Sequence, residues 1–359
     1  MADKKINSLQ GVDVRLPNQF YEEYDRTNDY RRYGYDNLYP QQVRQFFKAS
    51  PTLNKCVTRM AENLFGNYRG VGLLSSKLVE KLIGDYCLFG GFALHVTYSA
   101  FGEVDGCNYV PFESIRLGEQ NAQGVYTYCY YCADWSGTKT ANRKKINPRQ
   151  DRERYWIFTS DVETRLQRME SVGGAENYKG EIMYFSNTIS YPTSIESILP
   201  IVSMECGIIN ALYRDVRCNA MPSMIVSVPL NSANNDDFAE NLAKLQGDCS
   251  VGKIALYEYA SVEEKPEMMN LSTESYDNRF ENSKAYVESK IVGFFKQEVF
   301  SRIESGALGF STDIVEDAYR FYNFSLRPQR RKIEAELRKI EPSFSLAEIH
   351  YNESDTITE

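Results

Sequence analysis

Between Thr273 and Ile340, apolar positions recur at three- and four-residue steps, a spacing that predicts two long amphipathic helices. The first stripe is Tyr276, Phe280, Val287, Ile291, Phe294, Phe295, Val299 and Ile303, with Thr273 as N-cap and Glu274 at the positive end of the helix. Glu304-Ser305-Gly306-Ala307-Leu308-Gly309-Phe310 interrupts the pattern, and its two glycines supply backbone freedom that is costly inside a helix. Ser311 or Thr312 then caps a second helix with Asp313 in its first turn. Its stripe is Ile314, Ala318, Phe321, Tyr322, Leu326, Ile333 and Leu337. Pro328 falls inside that stripe and predicts a kink. Helices this long cannot bury their own faces, so partner helices are expected from this chain or from copies of it.

Ahead of this pair the patterns are shorter. Residues 1–35 are polar and tyrosine-rich, with Arg26, Arg31 and Arg32 among acidic neighbours, and without a period they read as an irregular arm. Tyr35-Asp36-Asn37-Leu38-Tyr39-Pro40 makes a turn before a short helix over 41–47. Ser50 caps the next helix, with Pro51 at its first position, Leu53, Val57, Met60, Ala61 and Leu64 as its stripe and Gly66-Asn67 as its stop. A third helix follows through Leu78, Val79, Leu82, Ile83 and Tyr86.

Gly90-Gly91 marks a change to strands over 92–98 and 107–111, with others over 125–135, 154–159 and 181–185. Thr193 and Glu196 stand at capping-box spacing before a long helix ending at Asn219-Ala220-Met221-Pro222, in which Pro200 predicts a kink or a detached first turn. Strands over 224–229 and 252–257 flank a short helix over 236–246. A small α/β insert therefore lies between two long helices in an α+β chain. The acidic tail, 346–359, reads as poorly ordered.

Composition narrows the function classes. With 42% hydrophobic and 25% charged residues, the chain suits a globular protein, and 359 residues suit more than one structural region. No run approaches the roughly 20 apolar residues of a membrane helix. The charged start lacks a secretory pattern, so a cytosolic protein or a particle assembled in the cytosol is expected. Eight scattered cysteines read as reduced thiols, and 26 tyrosines favour extensive, wet subunit contacts. A net charge of −8 weighs against a tight grip on DNA, though not against a protein that lets DNA pass.

Motifs that carry chemistry are sparse. Cys129-Tyr130-Tyr131-Cys132 is a lone C-x-x-C in a strand-like run, without the second pair that zinc would need. His95 alternates with apolar neighbours and reads as structural, and His350 lies near the tail. No phosphate-binding loop is present: 66–72 lacks the lysine-serine/threonine end. No catalytic, cofactor-binding or metal-binding residue is assigned. Asp313, Glu316 and Asp317 suit a capped helix turn, although scattered carboxylates could still build a two-metal nuclease. A metal-dependent nucleic-acid enzyme therefore stays as an alternative. The strongest basic run spans Lys139–Arg154. It reads either as a solvated loop or as a nucleic-acid or capsid contact through Arg143, Lys144, Lys145 and Arg149.

Taken in order, several segments resemble the portal proteins of tailed double-stranded-DNA bacteriophages, over about Asn37 to Ile340. They begin with Asn37-Leu38-Tyr39-Pro40, Ser50-Pro51-Thr52-Leu53, Leu88-Phe89-Gly90-Gly91-Phe92-Ala93-Leu94 and Val110-Pro111-Phe112-Glu113-Ser114-Ile115-Arg116. Tyr191-Pro192, Asn219-Ala220-Met221-Pro222, Gly252-Lys253 and Leu326-Arg327-Pro328-Gln329 continue them. The resemblance implies an N-terminal arm (1–35), an α/β wing (36–193), a first stem helix (194–220), a small α/β clip (221–272) and a second stem helix (273–303). A tunnel loop (304–310) and a kinked tunnel helix returning to the wing (311–345) would follow, then the tail. It further implies a ring oligomer, expected to be a dodecamer, at one capsid vertex of the virion, assembled in the bacterial host cytoplasm. The expected partners are double-stranded DNA in transit, the terminase motor, the major capsid protein and head-completion or tail adaptor proteins, with no membrane, cofactor or enzymatic activity. A different oligomeric head–tail connector is a further alternative. The 304–310 segment is expected either as a mobile loop in the channel or as a tight turn with Leu308 and Phe310 buried.

Overall fold

The computed structural model describes residues 22–138, 140–141, 144–187, 195–217, 224–229, 254–259, 275–306 and 312–346. They divide into two compact units. The larger takes the described residues of Leu16–Pro200 and Lys290–Glu359, the smaller those of Ile201–Ser289.

The larger unit opens with a hairpin, β1 (Glu22–Asp25) and β2 (Tyr30–Tyr33), where an irregular arm is expected. The Asp25 carboxylate accepts the N–H groups of Thr27 and Asn28, and Asp29 takes a left-handed φ of 58°, closing the turn. In β2 the buried residues are Tyr30 and Tyr33 with two half-buried arginines between them, so no two-residue alternation shows in the sequence. Asp29 accepts hydroxyls from Tyr24 (2.6 Å), Tyr128 (2.6 Å) and Tyr130 (2.7 Å). Burial alone would raise its carboxyl; those hydroxyls and Arg154 outweigh it and hold the group below the usual range.

Three helices follow: α1 (Tyr39–Ala49), α2 (Pro51–Phe65) and α3 (Ser76–Phe89). The Ser50 side chain caps α2 by accepting the Leu53 N–H at 3.0 Å, with Pro51 in the first turn as its fixed φ favours. Gly90 closes α3 in the left-handed conformation, and the chain enters β3 (Gly91–Tyr98) and β4 (Val104–Val110). Then come β5 (Ile115–Leu117), β6 (Tyr128–Tyr131), a small hairpin of β7 (Thr140–Ala141) and β8 (Lys144–Lys145), and β9 (Glu153–Ile157). After α4 (Val162–Ser171) and β10 (Glu181–Ser186), the six-stranded sheet has the order β4-β3-β10-β9-β6-β5. Only its central β9–β10 pair is parallel. α3 packs between this sheet and α2.

The sequence pattern misses α4. Asp161 caps it through the Thr164 N–H at 3.1 Å, but its buried residues are Arg165 and Met169, and a stripe with arginine in it has no apolar period. Glu181, wholly buried at the start of β10, accepts Arg168 (2.5 Å), Tyr178 (2.8 Å), Tyr98 (2.8 Å) and the Thr159 N–H (3.0 Å). Four donors fill the four acceptor positions of one carboxylate.

Pro200 does detach a first turn: a short 3-10 turn at Glu196–Ile198 precedes α5 (Leu199–Arg217). The smaller unit contains most of α5, the parallel pair β11 (Met224–Pro229) and β12 (Ile254–Tyr259), and the first part of α6 (Ser275–Phe294). The segments expected as an arm before residue 22, a helix over 236–246, the Thr193 and Thr273 caps and the tail beyond 346 lie outside the described residues.

One long helix expected through Ile303 is instead two. α6 stops at Phe294, and α7 (Glu298–Glu304) begins after Lys296, whose φ is 56°. α8 (Thr312–Leu337) then runs on through Pro328, which has no N–H to give the Phe324 carbonyl. It packs against α2, where the Arg330 guanidinium, buried, donates to Asn63 O at 2.8 Å. Beyond it Phe344 and Leu346 are still buried, and the Leu346 N–H donates to Glu334 at 2.8 Å, so the chain stays anchored there.

Candidate functional site

The break between α6 and α7 is made by Gln297. This side chain is fully buried, and its amide donates to Cys56 O of α2 at 2.8 Å and to the Tyr322 hydroxyl of α8 at 2.7 Å. A buried amide held by both neighbours outweighs one more turn of helix, because leaving it unpaired would cost its full desolvation. Phe300 of α7 meets Tyr319 and Tyr322 edge-on at 5.0 and 5.4 Å, and Arg59 of α2 lies 5.0 Å over its ring. Burial pushes the Tyr322 hydroxyl far above its usual range.

At the end of α7, Glu304 is paired with both Lys55 and Arg59 of α2. Burial would raise the Glu304 carboxyl, but these cations outweigh it and hold the group below the usual glutamate range. The helix closes as the Ser305 hydroxyl donates to Arg302 O at 3.1 Å, and Gly306 turns the chain away with φ of 73°. A Cβ added at Gly306 would meet nothing within 4 Å. α7 is thus clamped along its length. Ala307, Leu308, Gly309 and Phe310, the rest of the expected loop, lie outside the described residues. Lys55, Arg59 and Gln297 were not singled out by the sequence pattern, which gave Tyr322 only as part of an apolar stripe. The one signal for them was a glutamine interrupting an apolar stripe.

The basic run divides into two parts. Lys144, Lys145 and Arg149 are exposed on the β7–β8 hairpin and the turn after it, and Lys144 reaches Asp151 at 3.5 Å. Asp151 also accepts the Asn147 N–H at 2.7 Å, and Ile146 packs on the cluster of Tyr30, Tyr130, Cys132 and Trp135, which fixes the root of the hairpin. At the other end Arg152 lies over Tyr130 at 4.9 Å, and Arg154 over Tyr128 at 4.0 Å, so these two cations pack on the sheet. Lys139 and Arg143 are outside the described side chains. Among the described residues, no hydrogen bond or ion pair joins the basic hairpin to the α7–α8 turn.

The remaining candidates are structural. His95 Nε2 lies 2.6 Å from Lys179 O, so that nitrogen carries the proton. Cys129 and Cys132 are buried, and burial raises both thiols, the wrong direction for a thiolate ligand. Among the described residues, no group of three or more His, Cys, Asp or Glu side chains could hold a metal ion, and no helix is long and apolar enough to cross a membrane.

No protein-family model matches the sequence, and no curated protein matches it. Among solved structures, the chain is similar to one in the neck of a native gene transfer agent particle computed with C12 symmetry. The TM-score is 0.50 at 14% identity, over 89% of this chain and 86% of that one. Likeness at this identity establishes a shared fold. A chain of the virion of the native particle also matches, with a TM-score of 0.46 at 14% identity over 88% of this chain and 84% of that one. So does a chain of the neck of the empty particle computed with C6 symmetry, with a TM-score of 0.46 at 14% identity over 89% and 86%. Neither weaker likeness carries an argument.

Proposed function

We propose that this chain is a portal-type protein of a tailed phage or phage-like particle. It forms a ring, expected to be a dodecamer, at one capsid vertex, and double-stranded DNA passes through that ring on packaging and ejection. The observation that carries the reading is the fold shared, over 89% of the chain, with a component of a particle neck reconstructed with twelvefold symmetry. The order of elements agrees with it: an α/β wing, a helix, a small insert with a two-stranded sheet, and then α6 and α7, the second ending at a clamped turn.

In this reading 304–310 lines the channel. The clamp of Gln297 and Glu304 fixes the root of the loop, and Gly306 lets its tip move beside DNA. Residues 304–310 themselves carry no lysine or arginine to hold phosphate, and a net charge of −8 disfavours sticking. Pro328 adapts α8 to the ring, and Lys144, Lys145 and Arg149 face capsid protein or nucleic acid. The terminase motor supplies ATP hydrolysis, the portal itself hydrolyses nothing, and head-completion or tail adaptor proteins join the opposite side. Electron microscopy of the purified full chain tests the reading: closed rings with a central hole are expected. Compact monomers at every concentration and salt would overturn it. A ring that lines the neck below the vertex, with capsid protein making no contact, would favour the connector alternative, which the same shared fold also supports.

A further inference from the structure

Two surfaces of the larger unit are unlike and complementary. The first is a ridge on α8. Phe321 and Phe324 are 62% and 63% exposed, and Pro328 continues the same face at helical spacing. Charges flank it: Arg320, exposed beside the ridge, pairs with Glu316 at 2.7 Å and Asp317 at 3.3 Å on its own helix, and Arg327 lies over the Phe324 ring at 5.2 Å. Large apolar side chains on an exposed helical face mark a contact surface.

The second is a groove of about 340 Å³ between α1, α2 and α3, lined by Val57, Ala61, Phe65, Gly84 and Leu88. Its inner charges are matched, since Arg44 pairs with Asp85 at 2.6 Å and with Glu113 at 2.8 Å, and Lys81 lies over the Tyr109 ring at 5.4 Å. Glu62 and Glu80, exposed on its rim, form no ion pair among the described residues. Gly84 sits in the interior of α3, where alanine would be the more stable residue, and a Cβ there would meet nothing within 4 Å. Among the described residues, packing gives no reason for that glycine.

A single chain cannot bring the two together. α8 turns Tyr322, Leu326 and Arg330 inward, with Arg330 on α2 at Asn63, so the ridge points away from α2. The groove lies on a different face of α2, at Val57, Ala61 and Phe65. We infer that the occupant is a second copy of this chain: the Phe321–Phe324 ridge of one subunit seats in the α1–α2–α3 groove of the next, with Arg320 and Arg327 facing Glu62 and Glu80. Because the two faces differ, the contact is heterologous and repeats from copy to copy, as a closed ring requires. The inference rests on the ring reading above and supplies one of its interfaces.

The test uses the full chain with a photo-crosslinking benzophenone side chain in place of Phe324, assembled from isotopically light and heavy copies. Light–heavy peptides joining α8 to Pro51–Phe65 or Ser76–Phe89 are expected. Separately, F321S/F324S and Gly84→Leu, which fills open space, should each raise the concentration needed for assembly by about tenfold or more while melting as monomers like wild type. R320E/R327E should do the same, and adding E62K/E80K should restore assembly. Cross-links within one copy or to other surfaces, with rings intact in every variant, overturn this contact and leave the ring reading standing. Wild-type protein that never assembles overturns both.

Discussion

Glu181 and Glu304 are each gripped by basic side chains, but the grips differ in kind. Glu181 is wholly buried, with one guanidinium and three neutral donors filling its acceptor positions, and it ties α4 and its flanking loops to the sheet. Glu304 is 40% exposed and has two cations from a single helix. A buried carboxylate that loses its partners cannot recruit water, whereas an exposed one can. The first site therefore fixes the fold, and the second only biases where a turn begins. Between them stands Gln297, neutral, buried and in contact with two helices.

That ranking can be broken by measurement. Glu181→Ala should have the largest effect, about 3–5 kcal/mol, because it strands Arg168 and three other donors. Urea unfolding of the monomer measures it, and a loss below that of the Gln297 variant would reverse the comparison. Gln297→Leu should cost about 1–3 kcal/mol by removing the buried amide that ties Cys56 O of α2 to the Tyr322 hydroxyl of α8. Near-ultraviolet circular dichroism should also report a loosened Phe300–Tyr322 contact.

Gly306→Ala should cost about 1 kcal/mol, since the space is open but φ is positive. On the channel reading its rings still assemble while genome packaging or retention fails, and normal packaging would remove the loop's role. Glu304→Gln should cost under about 1 kcal/mol, as solvent screens the pair. Its sign with pH is fixed by the depressed carboxyl. The stabilisation is present above the unfolded glutamate value, near pH 4.3, and is lost as pH falls through the lower folded value. Wild type and variant should therefore differ at pH 7 and converge in acid, and a gap that widens in acid would contradict the clamp. The smallest effect on stability belongs to K144E/K145E, within about 0.5 kcal/mol. Loss of capsid attachment or of DNA binding in that variant would make the basic hairpin a contact, and its full retention would make it a solvated loop.

Several elements were legible in the sequence because local chemistry alone dictates them. Ser50-Pro51 starts a helix whatever it packs against, Gly90 ends one, and the stripe Leu53, Val57 and Leu64 is buried as its spacing demands. Pro200 set off its turn for the same reason: the missing N–H and the fixed φ act within a few residues. Other features were settled by neighbours distant in the chain. The β1–β2 hairpin depends on tyrosines a hundred residues away that donate to Asp29, and α4 buries an arginine because Gly102 and Thr159 offer it carbonyls. The break before α7 is the clearest case. Nothing near Gln297 forbids a helix, and its place is fixed by Cys56 and Tyr322, which only the folded chain brings within reach of one amide. Periodicity reports which face of an element is apolar. Which buried polar group must stop the element to find a partner is decided by tertiary contacts, because the cost of an unpaired amide arises only once water has been excluded.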